Sequence, residues 1–453
     1  MATVAAPVDA EPRVTSLPPG PGVAPWRQTA QLLLRPEAFL RDAQREHGDL
    51  FTIRTAMFGS FVVAASPEHV RTVFTGPPDV LRAGEANAPL AALLGERSVL
   101  VLDGPEHLRQ RRLLLPPFHG DRLRGAEALV RRATLHELEE WPARRAFPLL
   151  GSMQAITLEV IVKVVFGVRG SARFEELSAR LRALLEPVGG RLRTVVSVLS
   201  GGDGMGGGPD AERFVARREA VDELLFRHIA DARSDPGLAA RDDVLSMLLL
   251  ARDEDGVGMS DQEVRDELVT LLLAGHETTA TALAWTFERL LRTPEVLAAA
   301  RSAIAAGDEA ATRTYLDAIA REALRLRPVL PNVGRVLSAP FALGGHLLPA
   351  GTAVLPSISL SHVRSEAYPD PEAFRPERYL GDGAPSGYEW IPFGGGARRC
   401  IGAPFALLEM RVVLRAVLEA CPGLRFAGAA GGEAAVRRGI VIAPEHGARV
   451  RLS

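Results

Sequence analysis

Residues 260–291 read SDQEVRDELVTLLLAGHETTATALAWTFERLL and contain no proline. Ser260 and Glu263 stand in the spacing of a capping box, which satisfies two amide donors at a helix start. The run that follows is about 30 residues, against a mean of about 11–12 for globular helices. A chain built around it is expected to be mainly α. The centre of the run is poor helix design. Ala274-Gly275-His276-Glu277-Thr278-Thr279 places a glycine, an acid and two threonines together. The glycine alone costs about 1 kcal/mol relative to alanine. Conflict of this kind is expected at functional sites. His276-Glu277 suggests an HExxH zinc pair, but residue 280 is alanine and that reading fails.

Around this element the chain reads as one mostly helical domain with small β-sheets. Residues 1–24 are expected to be extended or disordered, with the proline-rich 16–22 leading into a domain over 25–453. DLFTIRTAMFGSFVVAASP reads as two strands around a turn at Gly59-Ser60. YLDAIAREALRL places Leu316, Ile319, Ala320, Ala323 and Leu324 on one helix face, and Arg327-Pro328 ends it. Short strands follow in FALGGHLLPAGTAVLP, GIVIAP and ARVRLS. SGGDGMGGGPD, residues 200–210, holds six glycines and reads as a mobile surface loop.

With 453 residues the chain can bury a large core, and its net charge of -2 gives no reason to expect nucleic acid or an acidic membrane as partner. Lys163 is the sole lysine, so arginine carries almost all positive charge. Cys400 and Cys421 are the only cysteines, which excludes a disulfide framework and a multi-cysteine metal site. No signal peptide is visible and no run of 18 apolar residues occurs, so a cytoplasmic protein without a membrane anchor is expected.

Cys400 closes FGGGARRC and precedes GAPFALLEMRVVLRAVLEA, a helical pattern with Phe405, Leu408, Val412 and Leu418 apolar. Amide N–H groups and the helix dipole there favour an anion, so the thiol is expected to ionise readily and to suit a soft metal centre. A lone cysteine can equally be a small buried hydrophobe, as expected for Cys421. A phosphate loop is excluded because neither Gly-Lys-Ser/Thr nor GxGxxG is present.

Phe393, Gly396, Arg398, Cys400 and Gly402, at these spacings, resemble the haem-binding signature of the cytochrome P-450 superfamily of haem-thiolate monooxygenases. The resemblance covers residue 17 to the C-terminus. It implies haem (heme b, iron protoporphyrin IX) with Cys400 as proximal ligand, a thiolate that donates electron density to iron and favours O–O cleavage. It implies that Phe393 packs near the sulfur and that Arg398 pairs with a propionate. AGHETT resembles the family's oxygen-activation segment, which implies Thr278 as the oxygen-site hydroxyl, Glu277 as the acid, and Ala274 and Gly275 as small residues that let the macrocycle and O2 approach. Glu322 and Arg325 resemble the ExxR pair and Arg378 the third member of that buried, structural triad. His107 and Arg111 resemble a propionate-binding HxxxR segment, with Arg335 a further propionate arginine. Arg109, Arg112 and Arg399 are read either as a basic dock for an acidic electron donor or as plain arginine abundance.

The function implied is insertion of one O2 atom into an apolar substrate, as hydroxyl or epoxide. No flavin or iron–sulfur module is visible, so electrons are expected from a ferredoxin and its NAD(P)H-dependent reductase. A peroxide-driven peroxygenase and a non-catalytic haem-thiolate sensor are the alternatives, and Glu277-Thr278 argues against both. By analogy with the fold, Leu90, Leu93, Leu94, Leu272, Val329, Leu330, Val333 and Ile440 are expected to form the substrate pocket. That favours a fatty acid or terpenoid, with steroid or macrolide as further classes. The glycine-rich loop is a candidate lid.

Overall fold

The long helix forms where its sequence puts it, over Asp261–Leu291. Its 31 residues span about 46 Å at 1.5 Å per residue. The capping box is complete: Ser260 Oγ accepts from the Glu263 amide, and the Glu263 carboxylate accepts from the Ser260 amide at 2.7 Å. The computed structural model describes residues 16–452 except Phe58, Asp382, Ser386 and segments 119–121, 168–170 and 186–208. The glycine-rich lid candidate therefore lies outside the described residues up to 208, and Pro209 and Asp210 already belong to the helix Pro209–Arg233.

Three helices enclose the long one. The inner helix Leu149–Phe166 packs along it most extensively, and Glu309–Leu326 and Ala403–Ala420 cross its other sides. The inner helix is long and apolar enough to cross a membrane, with a mean hydropathy of 1.7 over 18 residues. It still holds Ser152, Gln154, Thr157, Glu159 and Lys163, so the expectation of no unbroken apolar run of 18 residues stands. Its apolar side chains, including Met153, Ile156, Val160 and Ile161, sit in the protein's main core. Leu316, Ile319, Ala320, Ala323 and Leu324 are all buried, as are Phe405, Leu408, Val412, Leu418 and Cys421, so the periodicities of both helices match their inner faces.

The largest sheet runs in the order Leu50–Thr55, Gly59–Ala64, Ala353–Pro356, Arg335–Leu337, Leu81–Arg82. Gly59–Ala64 and Ala353–Pro356 are parallel and the other pairs antiparallel. Gly59 pairs with Thr55, so the turn precedes Gly59-Ser60, one register earlier than expected. Phe341–Leu343 and His346–Leu348 form a hairpin over Gly344 and Gly345, at φ +54° and +78°. That left-handed pair is a turn glycine allows without strain. A second hairpin pairs Ala435–Arg438 with Val441–Pro444, and only its second strand was expected. Residues 16–24 have no regular structure but are tied down. The Thr52 amide donates to Pro19 O at 2.9 Å, and Gln28 Nε2 donates to the carbonyls of Pro21 and Val23.

Candidate active site

The cysteine sits at the end of a tight loop that leads into Ala403–Ala420. Its amide donates to Phe393 O at 2.9 Å, closing the loop on itself. Gly396 holds φ +61°, and a Cβ there would lie 1.8 Å from Phe74 O. Only glycine lets the loop back so closely onto the end of the helix Pro67–Thr75. The Cys400 thiol opens into a cavity of about 1510 Å³, bounded on the other side by Ala274, Gly275, Thr278 and Thr279 of the long helix. Amides of Gly402 and Ala403 donate to the sulfur, and Arg111 and Arg399 favour its anion, but burial is the larger influence and pushes the thiol up. The donors anticipated from the helix start are thus present, while ready ionisation of the free thiol is not. A bound cation removes that obstacle, because a coordinating thiol is deprotonated outright.

Across the cavity, Thr278 Oγ1 donates to the Ala274 carbonyl, one turn back. Glu277 turns aside and accepts from Gln154 Nε2 of the inner helix at 2.7 Å. Burial raises its carboxyl above the usual range, opposed by that hydrogen bond and by the charge of Arg438. His276 is buried with Nδ1 2.9 Å from Thr157 Oγ1, a packing contact. Gly275 borders the cavity, but a Cβ there would meet Ile161 Cδ1 at 2.7 Å. Its smallness serves the contact of two helices, and Ala274 alone gives the open approach.

Between these walls four cationic or potentially cationic groups converge. His107, Arg111, Arg335 and Arg398 all line the cavity. Arg398 donates to Val99 O at 3.0 Å and pairs with Asp103; Arg111 donates to Arg399 O at 2.7 Å; Arg335 donates to Gly334 O at 2.7 Å. Burial and the neighbouring Arg398 and Arg111 lower His107 to about 4, so it is neutral near pH 7. Burial and Arg398 lower Arg335 to about 10. Three guanidinium groups thus face one another with Asp103 as the carboxylate among them. Such a cluster suits two further anionic groups. A soft, deprotonating cation at Cys400, a broad cavity bounded by small helical residues, and a dianionic edge at the arginines together match the requirements of haem.

The network behind the loop is buried. Arg325 Nε and Nη2 donate to Glu322 at 2.7 and 2.8 Å, and both side chains are fully buried. Arg378 joins at 3.3 Å from Glu322 Oε1. Arg325 also donates to His362 O at 2.8 Å and Pro371 O at 2.7 Å. His362, missed in the sequence, carries the link to the cysteine loop: its Nε2 accepts from the Ile391 amide at 2.9 Å. Burial and Arg325 lower His362 to about 3, so the neutral ring keeps its proton on Nδ1, 3.2 Å from Arg325 O. Trp390 adds a second link, donating to Arg321 O at 3.2 Å and meeting the Phe393 ring edge-on at 5.8 Å.

Leu90, Val329, Leu330, Val333 and Ile440 line the cavity as read from the sequence. Leu94 and Leu272 do not: both are fully buried in the main core, and Leu93 packs half-buried against it. The long helix instead presents Thr270, Leu271, Leu273 and Ala274 to the cavity. Arg109 is not a free docking charge, because it pairs with Asp253 at 2.6 Å and Glu263 at 2.8 Å. Arg112 pairs with Glu254 at 2.6 Å.

Comparison with known proteins agrees with this geometry. The profile of the family described as Cytochrome P450 matches residues 18–422. A Mycobacterium tuberculosis protein named cytochrome P450 135B1 is 42% identical over 439 residues, covering 96% of this chain and 91% of that one. Cytochrome P450 135A1 of the same organism is 38% identical over 441 residues, covering 97% and 95%. Among solved structures, a retinoic acid-bound cyanobacterial CYP120A1 superposes with a TM-score of 0.81 at 24% identity, covering 97% of this chain and all (100%) of that one. The haem domain of cytochrome P450DA gives the same TM-score, 0.81, at 22% identity, covering 97% and 98%.

Proposed function

The chain belongs to the cytochrome P450 family and is a haem-thiolate monooxygenase with Cys400 at hand to ligate haem b, and from that premise we propose that it hydroxylates or epoxidises a largely apolar, fatty acid- or terpenoid-like substrate in the cytoplasm of a bacterium, with electrons from a ferredoxin and its NAD(P)H-dependent reductase. Haem b supplies oxygen binding and reduction at an iron made electron-rich by thiolate. The chain's residues supply the rest. His107, Arg111, Arg335 and Arg398 would hold the propionates, and Phe393 would shield the sulfur. Thr278 Oγ1, free to leave the Ala274 carbonyl, presents a hydroxyl to the oxygen side. Glu277, whose raised carboxyl holds a proton above the ordinary range, refills that hydroxyl. The apolar walls at Leu90, Val329, Leu330, Val333 and Ile440 exclude water and orient the substrate.

The observation that carries this reading is the Cys400 thiol facing Ala274 and Thr278 across one cavity. A peroxide-only enzyme has no use for a half-buried acid beside a cavity threonine, which favours the O2-dependent reading. The test has two parts. Reduced holoprotein with carbon monoxide should show the far red-shifted Soret band of a thiolate-bound haem, and Cys400→Ser should lose it. Turnover should require NAD(P)H and surrogate redox proteins. Equal or faster turnover with hydrogen peroxide alone would replace the proposal with a peroxygenase.

A further inference from the structure

We propose that Arg437 is a headgroup anchor in the substrate cavity, and that the substrate is an amphipathic carboxylate with a long apolar body; this deepens, and rests on, the monooxygenase reading above. Arg437 belongs to the strand Ala435–Arg438 and stands opposite Ile442 in the hairpin. The hairpin is fixed rigidly. Trp285 Nε1 donates to Ile442 O at 2.9 Å, and the Ile442 amide donates to Val329 O at 2.8 Å. Trp285 lies seven residues beyond Thr278, about 10 Å along the long helix. Arg437 is therefore set on a stiff element that is hydrogen-bonded to the long helix.

Arg437 borders the cavity together with Val436 and Ile440 and is not sealed into the core, so its side chain is accessible to a ligand there. Burial is the influence that lowers its guanidinium, and no neighbouring charge offsets it. Among the described residues no carboxylate, carbonyl or ring pairs with its side chain. Its neighbours differ. Arg438 donates to Glu445 O at 2.9 Å and acts on Glu277. Arg398 has Asp103, and Arg327 packs on the Trp285 ring at 5.3 Å. Nor does Arg437 belong to the propionate cluster. His107, Arg335 and Arg398 perturb one another, while none of them perturbs Arg437.

A guanidinium turned into an apolar chamber without a partner is costly to bury. A carboxylate completes it, because two parallel N–H···O bonds match its geometry and gain strength out of water. The remaining lining, with Leu90, Leu271, Leu273, Val329 and Leu330, asks for hydrocarbon. A neutral sterol or macrolide would leave the cation unpaired.

The test uses ferric holoprotein and the Soret spin-state shift. Dodecanoic, hexadecanoic and farnesoic acids are titrated, each against its own methyl ester. At least one acid should half-saturate at a concentration about tenfold or more below its ester, the scale of a hydrogen bond to a charged group. Arg437→Leu should remove that gap by weakening the acid while leaving the ester within about threefold, and Arg437→Lys should restore part of it. Equal binding of acids and esters, a gap that survives Arg437→Leu, or tighter binding of neutral sterols than of any acid would overturn the proposal. If Arg437→Leu does not fold, Arg437→Gln and the wild-type acid-to-ester ratio decide. A normal carbon monoxide spectrum with no acid preference sinks the anchor alone, whereas loss of that spectrum in the wild type sinks the monooxygenase reading with it.

Discussion

At the residue scale, half-buried Glu277 and buried Glu409 make opposite use of desolvation. Glu277 keeps its proton to higher pH than an ordinary glutamate, because desolvation outweighs Gln154 and Arg438. A rate that draws on that proton falls as pH rises through the raised value. Glu277→Gln should lower turnover by about 10²-fold and abolish this alkaline limb, with substrate binding retained. Gln154→Leu removes a bond that favours the charged form, so the limb should move to higher pH; a limb that stays put would show that Gln154 only packs. Glu409, one turn beyond the cavity-lining Phe405 and Ala406, has no function in this scheme. Burial pushes it up to about 8, and its Oε1 has no hydrogen-bond partner. In the unfolded chain the same carboxyl titrates at about 4.3, so the folded state binds the proton more tightly and stability is lost as pH rises between the two values. Glu409→Met should raise the Tm of the holoprotein at pH 9 and change it little at pH 5. Cys400, Thr278 and Glu277 were legible in the sequence because each sits in a short motif of fixed spacing. Gln154 and Asp103 were not, because they reach the site from distant segments and carry no local signal.

At the element scale, the cysteine loop is held from two directions, and only one of them was visible. The Glu322–Arg325 pair reads as a surface bridge by spacing, and the family resemblance made it a buried triad with Arg378. The structure adds the path onward. Arg325 grips the carbonyl of His362, and His362 grips the amide of Ile391, two residues before Phe393. Arg325→Leu leaves buried Glu322 with Arg378, at 3.3 Å, as its remaining counter-charge, and breaking a buried pair costs about 3–5 kcal/mol. Loss of soluble protein is the expected outcome. His362→Phe is the sharper test, because it keeps an aromatic ring at the site while removing the Nε2 acceptor, together with the weaker Nδ1 contact to Arg325 O. It should fold, by far-ultraviolet circular dichroism, yet hold substoichiometric haem by absorbance; full haem occupancy would mean that the Ile391 bond does not position the loop. The element register was less legible than element identity. The early turn before Gly59 and the missed strand Ala435–Arg438 both lie where arginine and alanine carry weak β preference and tertiary pairing decides.

At the scale of the whole molecule, the cofactor is expected to be a structural member as much as a reagent. Asp103, His107 and Arg111 come from one helix and its cap, Arg335 from the central sheet, and Arg398 from the cysteine loop. These segments lie far apart in sequence and meet at one cavity wall, where guanidinium groups outnumber the carboxylate between them. Their mutual repulsion opposes the fold until anions arrive. The propionate edge of haem would supply two, so binding and folding share free energy, and any ligand specific to the native state raises stability by mass action. The prediction separates the charge of that edge from the iron and the ring. Apoprotein reconstituted with iron protoporphyrin dimethyl ester keeps the metal, the macrocycle and the thiolate bond but loses both charges. It should retain the red-shifted carbon monoxide band while releasing its cofactor to excess apomyoglobin at least about tenfold faster than the haem b form, and it should melt several degrees lower. Arg335→Gln removes one of the crowded cations, so in that variant the gap between diacid and diester should narrow. An equal release rate for the two cofactors in the wild type would mean that the cluster is satisfied by Asp103 and backbone carbonyls alone, and that the cofactor is held by its sulfur and its apolar faces.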